Sequence, residues 1–234
     1  MRTTSPLIPS LSKDAFWKGR SVKVSAKICG LKTKEAIYAA AKGGADFIGF
    51  MFHPASPRAL TLDAAARLRR DVPPSIKLVA VVVDANDTLI GDINRAVVPD
   101  VFQLHGSESV KRAAEISALT GKSIIKAIPA ARAEDVGPAY AFEEVADWLM
   151  FDTKVPPGAA SPGGGGVAFD WKILSGRTFR RPWLLAGGLN SENLKAAVEA
   201  SGARVVDVSS GVERARGEKD PGLIAAFLDR ARTL

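Results

Sequence analysis

The chain has 234 residues, 47% of them hydrophobic, 24% charged and 7% aromatic; this supports one substantial core and excludes collagen-like, disulfide-scaffold and wholly disordered classes. The longest aliphatic run, residues 78–83, spans six positions, against the ~20 that a membrane helix needs, so no membrane partner is expected. The net charge is +7, but much of it comes from Arg2, Lys13, Lys18, Arg20 and Lys23 near the N-terminus. Elsewhere both signs are interspersed, without the basic stripe that tracks a nucleic-acid backbone.

Residues 1–23 lack the continuous apolar stretch of a signal peptide, because Pro9 and Ser10 interrupt Leu7, Ile8 and Leu11. They are read as a basic N-terminal extension ahead of a catalytic domain spanning 24–234. From residue 24 onward, β-rich runs alternate with helical stretches. The β-rich runs fall near 24–29, 46–52, 77–83, 101–104, 123–128, 147–152, 182–186 and 204–209. Helical segments are expected near 33–42, 61–70, 87–96, 108–119, 132–144, 170–175, 190–200 and 220–232. Thr61, Asn190 and the pair Asp220-Pro221 read as helix starts, and Gly43-Gly44 and Gly121 as helix stops. Strict alternation requires a parallel sheet with helical crossovers. The average strand spacing of roughly 26 residues suits a (β/α)8 TIM barrel of the α/β class, as a single domain. The first strand runs through Cys29-Gly30-Leu31 straight into its helix, without a dinucleotide-binding glycine fingerprint.

In such a barrel, chemistry belongs at the carboxyl ends of the strands. There the sequence places Cys29-Gly30, His53 to Arg58, His105-Gly106, Asp152-Thr153, Gly187-Gly188 and Asp207 to Gly211. Cys29 and Asp152 are the candidate proton-transfer pair, since each ends an otherwise apolar strand. A thiol drawn below its ordinary pKa serves as base, and a carboxyl shielded from water serves as acid. Arg58, behind the rigid Ser56-Pro57 turn, suits a bidentate grip on a substrate carboxylate. His105 and Asp207 are candidate substrate contacts, Asp207 either orienting a sugar hydroxyl or capping backbone amides. Gly187, Gly188, Ser210 and Gly211, aided by a helix N-terminus, can offer bare N–H groups to a phosphate. Gly164, Gly165 and Gly166 can add a third set. The stretch 155–167 holds five glycines and three prolines and reads as a loop that closes over substrate. With one cysteine and two histidines in the chain, no metal site is expected. The single cysteine suits a reducing, cytoplasmic setting.

These stretches together resemble the phosphoribosylanthranilate isomerase family. The likeness rests on Lys27-Ile28-Cys29-Gly30-Leu31, Gly49-Phe50, Ser56-Pro57-Arg58, Gln103-Leu104-His105-Gly106, Phe151-Asp152 and the 163–166 glycine run with Phe169-Asp170-Trp171. It continues through Leu185-Ala186-Gly187-Gly188-Leu189, the run 207–213, Gly217 and Lys219-Asp220. The resemblance implies a cofactor-free Amadori rearrangement in tryptophan biosynthesis, with Asp152 as general acid, Cys29 as general base and Arg58 on the anthranilate side. The substrate is then a phosphorylated ribosyl anthranilate and the protein a monomer or homodimer. Lys32, residues 81–84 and Gly165 depart from the family's usual residues. The alternatives are another sugar-phosphate barrel, such as an indole-glycerol-phosphate synthase or a pentose-phosphate epimerase, or a catalytically silent binding barrel. Lys126, near the end of the fifth strand, is the lysine that the synthase reading would use.

Overall fold

A computed structural model describes residues 24–154 and 168–234. The basic extension and the glycine-rich stretch, with Gly164, Gly165 and Gly166, lie outside the described residues. Eight strands close into one parallel barrel in sequence order. They are β1 (Ser25–Cys29), β2 (Phe47–Met51), β3 (Lys77–Val82), β4 (Val101–Leu104), β5 (Ser123–Ala130), β6 (Trp148–Thr153), β7 (Trp183–Leu185) and β8 (Val205–Val208). Closure joins β1 to β8, with Ser25 to Ile28 in register with Val205 to Val208.

Helices α1 (Lys34–Gly43), α2 (Leu62–Arg69), α3 (Asp87–Ala96), α4 (Val110–Thr120), α5 (Ala139–Phe142), α6 (Leu194–Ser201) and α7 (Pro221–Arg232) cover the barrel. Side-chain oxygens of Thr33, Thr61, Asn86, Ser109 and Asp220 cap five of these helices by accepting N–H groups of their first turns. Two expected helices are much reduced among the described residues. The 132–144 segment folds as a 3-10 turn, Ala133–Val136, followed by the four-residue α5. The 170–175 segment is the 3-10 turn Trp171–Leu174. Gly137 and Pro138 interrupt the first pattern, and six residues are too short to propagate in the second. A small hairpin of β9 (Glu213–Ala215) and β10 (Glu218–Lys219) follows β8. The strand-and-helix pattern gave no hint of it.

Strand periodicity sorts the core into two layers. One set of alternate residues packs outward against the helices, as Ile28, Ile48, Leu78, Phe102, Leu149 and Val206 do. The other set fills the barrel interior, with Phe47, Val79, Val101, Ile125, Trp148, Leu184 and Val205. That interior series also carries Lys27, Cys29, Gln103, Asp152 and Asp207, all of them buried. Apolar residues therefore plug the amino-terminal end, and the polar ones are handed to the carboxyl-terminal mouth.

At the amino-terminal rim, three aspartates use the same device. Asp46, Asp100 and Asp147 each precede an even-numbered strand. Each donates its own N–H to the preceding strand and accepts an N–H back on its carboxylate, from Ala26 at 3.1 Å, Leu78 at 2.8 Å and Ile124 at 2.9 Å. The carboxylate thus extends each ladder by one bond where the strands would otherwise fray.

Candidate active site

Cys29 ends β1 and Asp152 lies one residue before the end of β6. Around the closed ring these strands are separated by β8 and β7, so the two groups face across the mouth. Asp152 is 9% exposed. Its Oδ1 accepts the Thr153 N–H at 2.8 Å and its Oδ2 lies 3.1 Å from His105 Nε2. The Nδ1 of His105 meets Gln103 Nε2 at 2.8 Å. With the amide donating, the ring proton sits on Nε2 and points at the carboxylate. His105 is thereby placed on Asp152. A cavity of about 350 Å³ opens beside this pair, lined in part by Asp84, Ala127 and Lys154. A larger groove of about 840 Å³ runs along the outer surface between α1 and α7 and touches none of the strand-end residues.

Gly187 explains how the neighbouring strand comes so close. It has φ +86°, and a Cβ there would lie 2.2 Å from Thr153 Oγ1 and 3.0 Å from Asp152 Oδ1. Only glycine tolerates both the left-handed backbone and that approach.

On the opposite side, Cys29 sits in a cluster of charges. Lys27, two residues earlier on the same interior face, donates to Asp207 Oδ1 at 2.7 Å. Asp207 is thus paired with a lysine, a partner that neither expected role supplied. Burial alone would weaken the charge of Lys27, but Asp207 and, after it, Cys29 together outweigh this and hold its pKa above the ordinary lysine value. The Cys29 thiol itself is pushed up by burial, and neighbouring Lys27 and Lys219 offset this only in part. This corrects the expectation of a thiol drawn below its ordinary range, because desolvation at the end of a buried strand disfavours the thiolate.

Arg58 is buried after β2, and its Nε and Nη2 donate to Glu213 at 2.7 and 2.9 Å. The bidentate partner is thus a carboxylate of the chain itself, and a substrate carboxylate is left with the Nη1 side. Lys219 Nζ donates to the same Glu213 and to Ser209, whose hydroxyl donates to the Cys29 carbonyl. Burial works against the charge of Glu213. Even so, hydrogen bonds from Arg58, Lys219 and the Gly217 N–H hold its carboxyl at about 2. Lys32 ties its ammonium to the Pro57 carbonyl at 2.9 Å, joining the β1–α1 turn to the loop that carries Arg58.

Gly187, Gly188, Ser210 and Gly211 follow β7 and β8 as expected. The helix contribution is different. Asn190 Oδ1 accepts the N–H groups of Glu192 and Asn193, which occupies donors that an anion would need. A Cβ on Gly211 would meet the Leu189 carbonyl oxygen at 1.9 Å, so the two glycine loops are packed against each other.

Lys126 points away from the barrel interior. Its ammonium is held by Glu108 at 2.7 Å and by the Leu104 and Gly106 carbonyls, which disfavours the synthase reading. The sequence reading gave no role to Gln103, Lys27, Glu213 or Lys219. For Lys27 a signal was present, since a residue two positions before Cys29 in a strand shares its face.

Residues 26–230 match the family model described as N-(5'phosphoribosyl)anthranilate (PRA) isomerase. The chain belongs to that family. It is 49% identical over 209 residues to the N-(5'-phosphoribosyl)anthranilate isomerase of Cereibacter sphaeroides, covering 89% of this chain and 99% of that one. A counterpart from a Caulobacter species is 50% identical over 210 residues, with the same coverage. Among solved structures, the phosphoribosyl anthranilate isomerase from Thermotoga maritima superposes with a TM-score of 0.81 at 33% identity, over 90% of this chain and 100% of that one. A phosphoribosyl anthranilate isomerase in complex with reduced 1-(o-carboxyphenylamino)-1-deoxyribulose 5-phosphate gives a TM-score of 0.78 at 32% identity, with the same coverage. As a phosphoribosylanthranilate isomerase family member, the chain is an aldose–ketose isomerase of tryptophan biosynthesis.

Proposed function

We propose that the chain isomerises N-(5'-phosphoribosyl)anthranilate with Asp152 as general acid and Cys29 as general base. The observation that carries this reading is their placement. A carboxyl hydrogen-bonded to an imidazole faces a thiol flanked by lysines across one barrel mouth. The proton of the Asp152 carboxyl passes to the furanose ring oxygen, the C1'–O bond breaks, and the aminal becomes a protonated Schiff base, while His105 holds the carboxyl in place. Cys29 then removes the C2' proton, and the electron pair left behind neutralises the iminium as an enolamine. Loss of the 2'-hydroxyl proton and protonation at C1' give the 1-deoxyribulose 5-phosphate product. Every atom of the substrate is retained and no redox partner is consumed, so no cofactor is required.

Arg58 is assigned to the anthranilate carboxylate through its Nη1 side, and the N–H groups of Gly187, Gly188, Ser210 and Gly211 to the phosphate. Gly164, Gly165 and Gly166 are proposed to complete that phosphate grip. Residues 24–234 form the catalytic domain and 1–23 an extension to it. A cytoplasmic location is consistent with the single cysteine and with the absence, among the described residues, of a helix long and apolar enough to cross a membrane. Enzymatically generated phosphoribosylanthranilate tests the assignment directly. Loss of its anthranilate fluorescence on adding the protein is expected, and an unchanged signal refutes the reading.

A further inference from the structure

Cys29 is the only cysteine in the chain and is 6% exposed. A base in that position needs a compensating positive charge, because burial favours the neutral thiol. Lys27 is the group placed to supply it. Its ammonium is fully buried, hydrogen-bonded to Asp207 from β8 and near enough to the Cys29 thiol for the charge to favour the thiolate. The strand on the other side of β1 makes room for this contact. Gly49 stands in register with Cys29, and a Cβ there would lie 3.0 Å from the sulfur and 3.2 Å from Lys27 Nζ. Any side chain at Gly49 would wedge against both groups.

We propose that Lys27, held in place by Asp207, is the counter-cation of the Cys29 thiolate and a positioning residue for the base, and that Gly49 is required for the two to meet. The charges around the thiol agree. Arg58 and Lys219 share the one carboxylate of Glu213, and Lys27 has that of Asp207. Three cations face two anions, and a thiolate completes the balance. β2 contributes no charge beside the sulfur, only Gly49. Lys27 and Lys219 favour the thiolate, whereas Asp207 opposes it.

The inference deepens the assignment of Cys29 as base, but its test needs no substrate. With a single cysteine, the pH dependence of iodoacetamide alkylation, or of thiolate ultraviolet absorbance, titrates this one group in the full-length protein. Lys27→Met should raise the thiol titration by about 1–3 pH units, because it removes the cation and leaves Asp207 unopposed. Asp207→Asn should shift it the other way, since Lys27 keeps an acceptor while the opposing charge is gone. Gly49→Ala should raise it. Opposite shifts from the two members of one ion pair are not what general loosening of the fold would give. If Lys27→Met fails to fold, the downward shift in the isosteric Asp207→Asn variant still decides. A thiol titration unmoved by Asp207→Asn overturns the proposal. Should the titration move as described while the acid limb of isomerase kcat/KM stays in place, the pairing stands and the base assignment falls.

Discussion

Cys29 and Asp152 each have a conservative replacement that separates chemistry from packing. Cys29→Ser retains the shape of a small side chain but cannot ionise near neutral pH. Its turnover is expected to fall by about 10²–10⁴-fold with KM little changed. Steady-state kinetics checks this, and an undiminished kcat would show that another group takes the C2' proton. Because burial places the Cys29 thiol above its ordinary value, and the base must be deprotonated, kcat/KM of the wild-type protein should continue to rise with pH above neutrality. Asp152→Asn keeps the size of the side chain and one of its two acceptors, for Thr153 or for His105, but cannot deliver a proton to the ring oxygen. A fall in kcat of similar size is expected, with an unaltered circular-dichroism spectrum. A bulky residue at Gly187 is a poor probe of phosphate binding here. Its side chain would strike Thr153 and Asp152 before it reached any ligand.

At the scale of the strand and helix, catalysis and cohesion occupy opposite ends of the barrel. The proton-transfer groups end β1 and β6 at one mouth, and Asp46, Asp100 and Asp147 stitch the rim at the other. Asp147→Ala removes the acceptor for the Ile124 N–H at the start of β5. It should cost about 1–3 kcal/mol of unfolding free energy. Denaturant titration measures this, and kcat and KM should remain those of the wild type because the site lies at the far end. A change in KM would mean that the two ends are coupled. The β9–β10 hairpin plays the complementary role at the catalytic mouth. It carries Glu213 and Lys219 to Arg58 and Ser209, so a feature of five strand residues fixes the charge pattern beside the base.

For the molecule as a whole, the same cluster couples the site to acid stability. The Glu213 carboxyl is held at about 2, below the ordinary value of 4.5. Its ionisation therefore contributes stability in full above pH 4.5 and loses it as the pH falls from there toward about 2. Glu213→Gln should reduce unfolding free energy at neutral pH and flatten its decline across that acid window. Urea unfolding at neutral pH and again inside the window tests both. An equally steep decline in the variant would place the acid sensitivity elsewhere.

The sequence by itself determined the order and type of the eight strands, the closed parallel architecture they imply, and the residues that stand at the mouth. These are local properties. A two-residue period fixes the face on which a strand side chain points, and a strand followed by a helical crossover fixes which end is catalytic. Cys29 and Asp152 were legible for that reason. Arg58, His105 and Asp207 were legible as positions, though not by their partners. Only the tertiary structure decided that Lys27 meets Asp207 across 180 residues of chain and Arg58 meets Glu213 across 155. Likewise it was the closed barrel that set His105 of β4's carboxyl end on Asp152 of β6 and drew the thiol's titration upward rather than downward. Hydrophobic periodicity is written residue by residue, whereas the pairing of charges and the depth at which each is buried depend on which strands become neighbours when the ring closes.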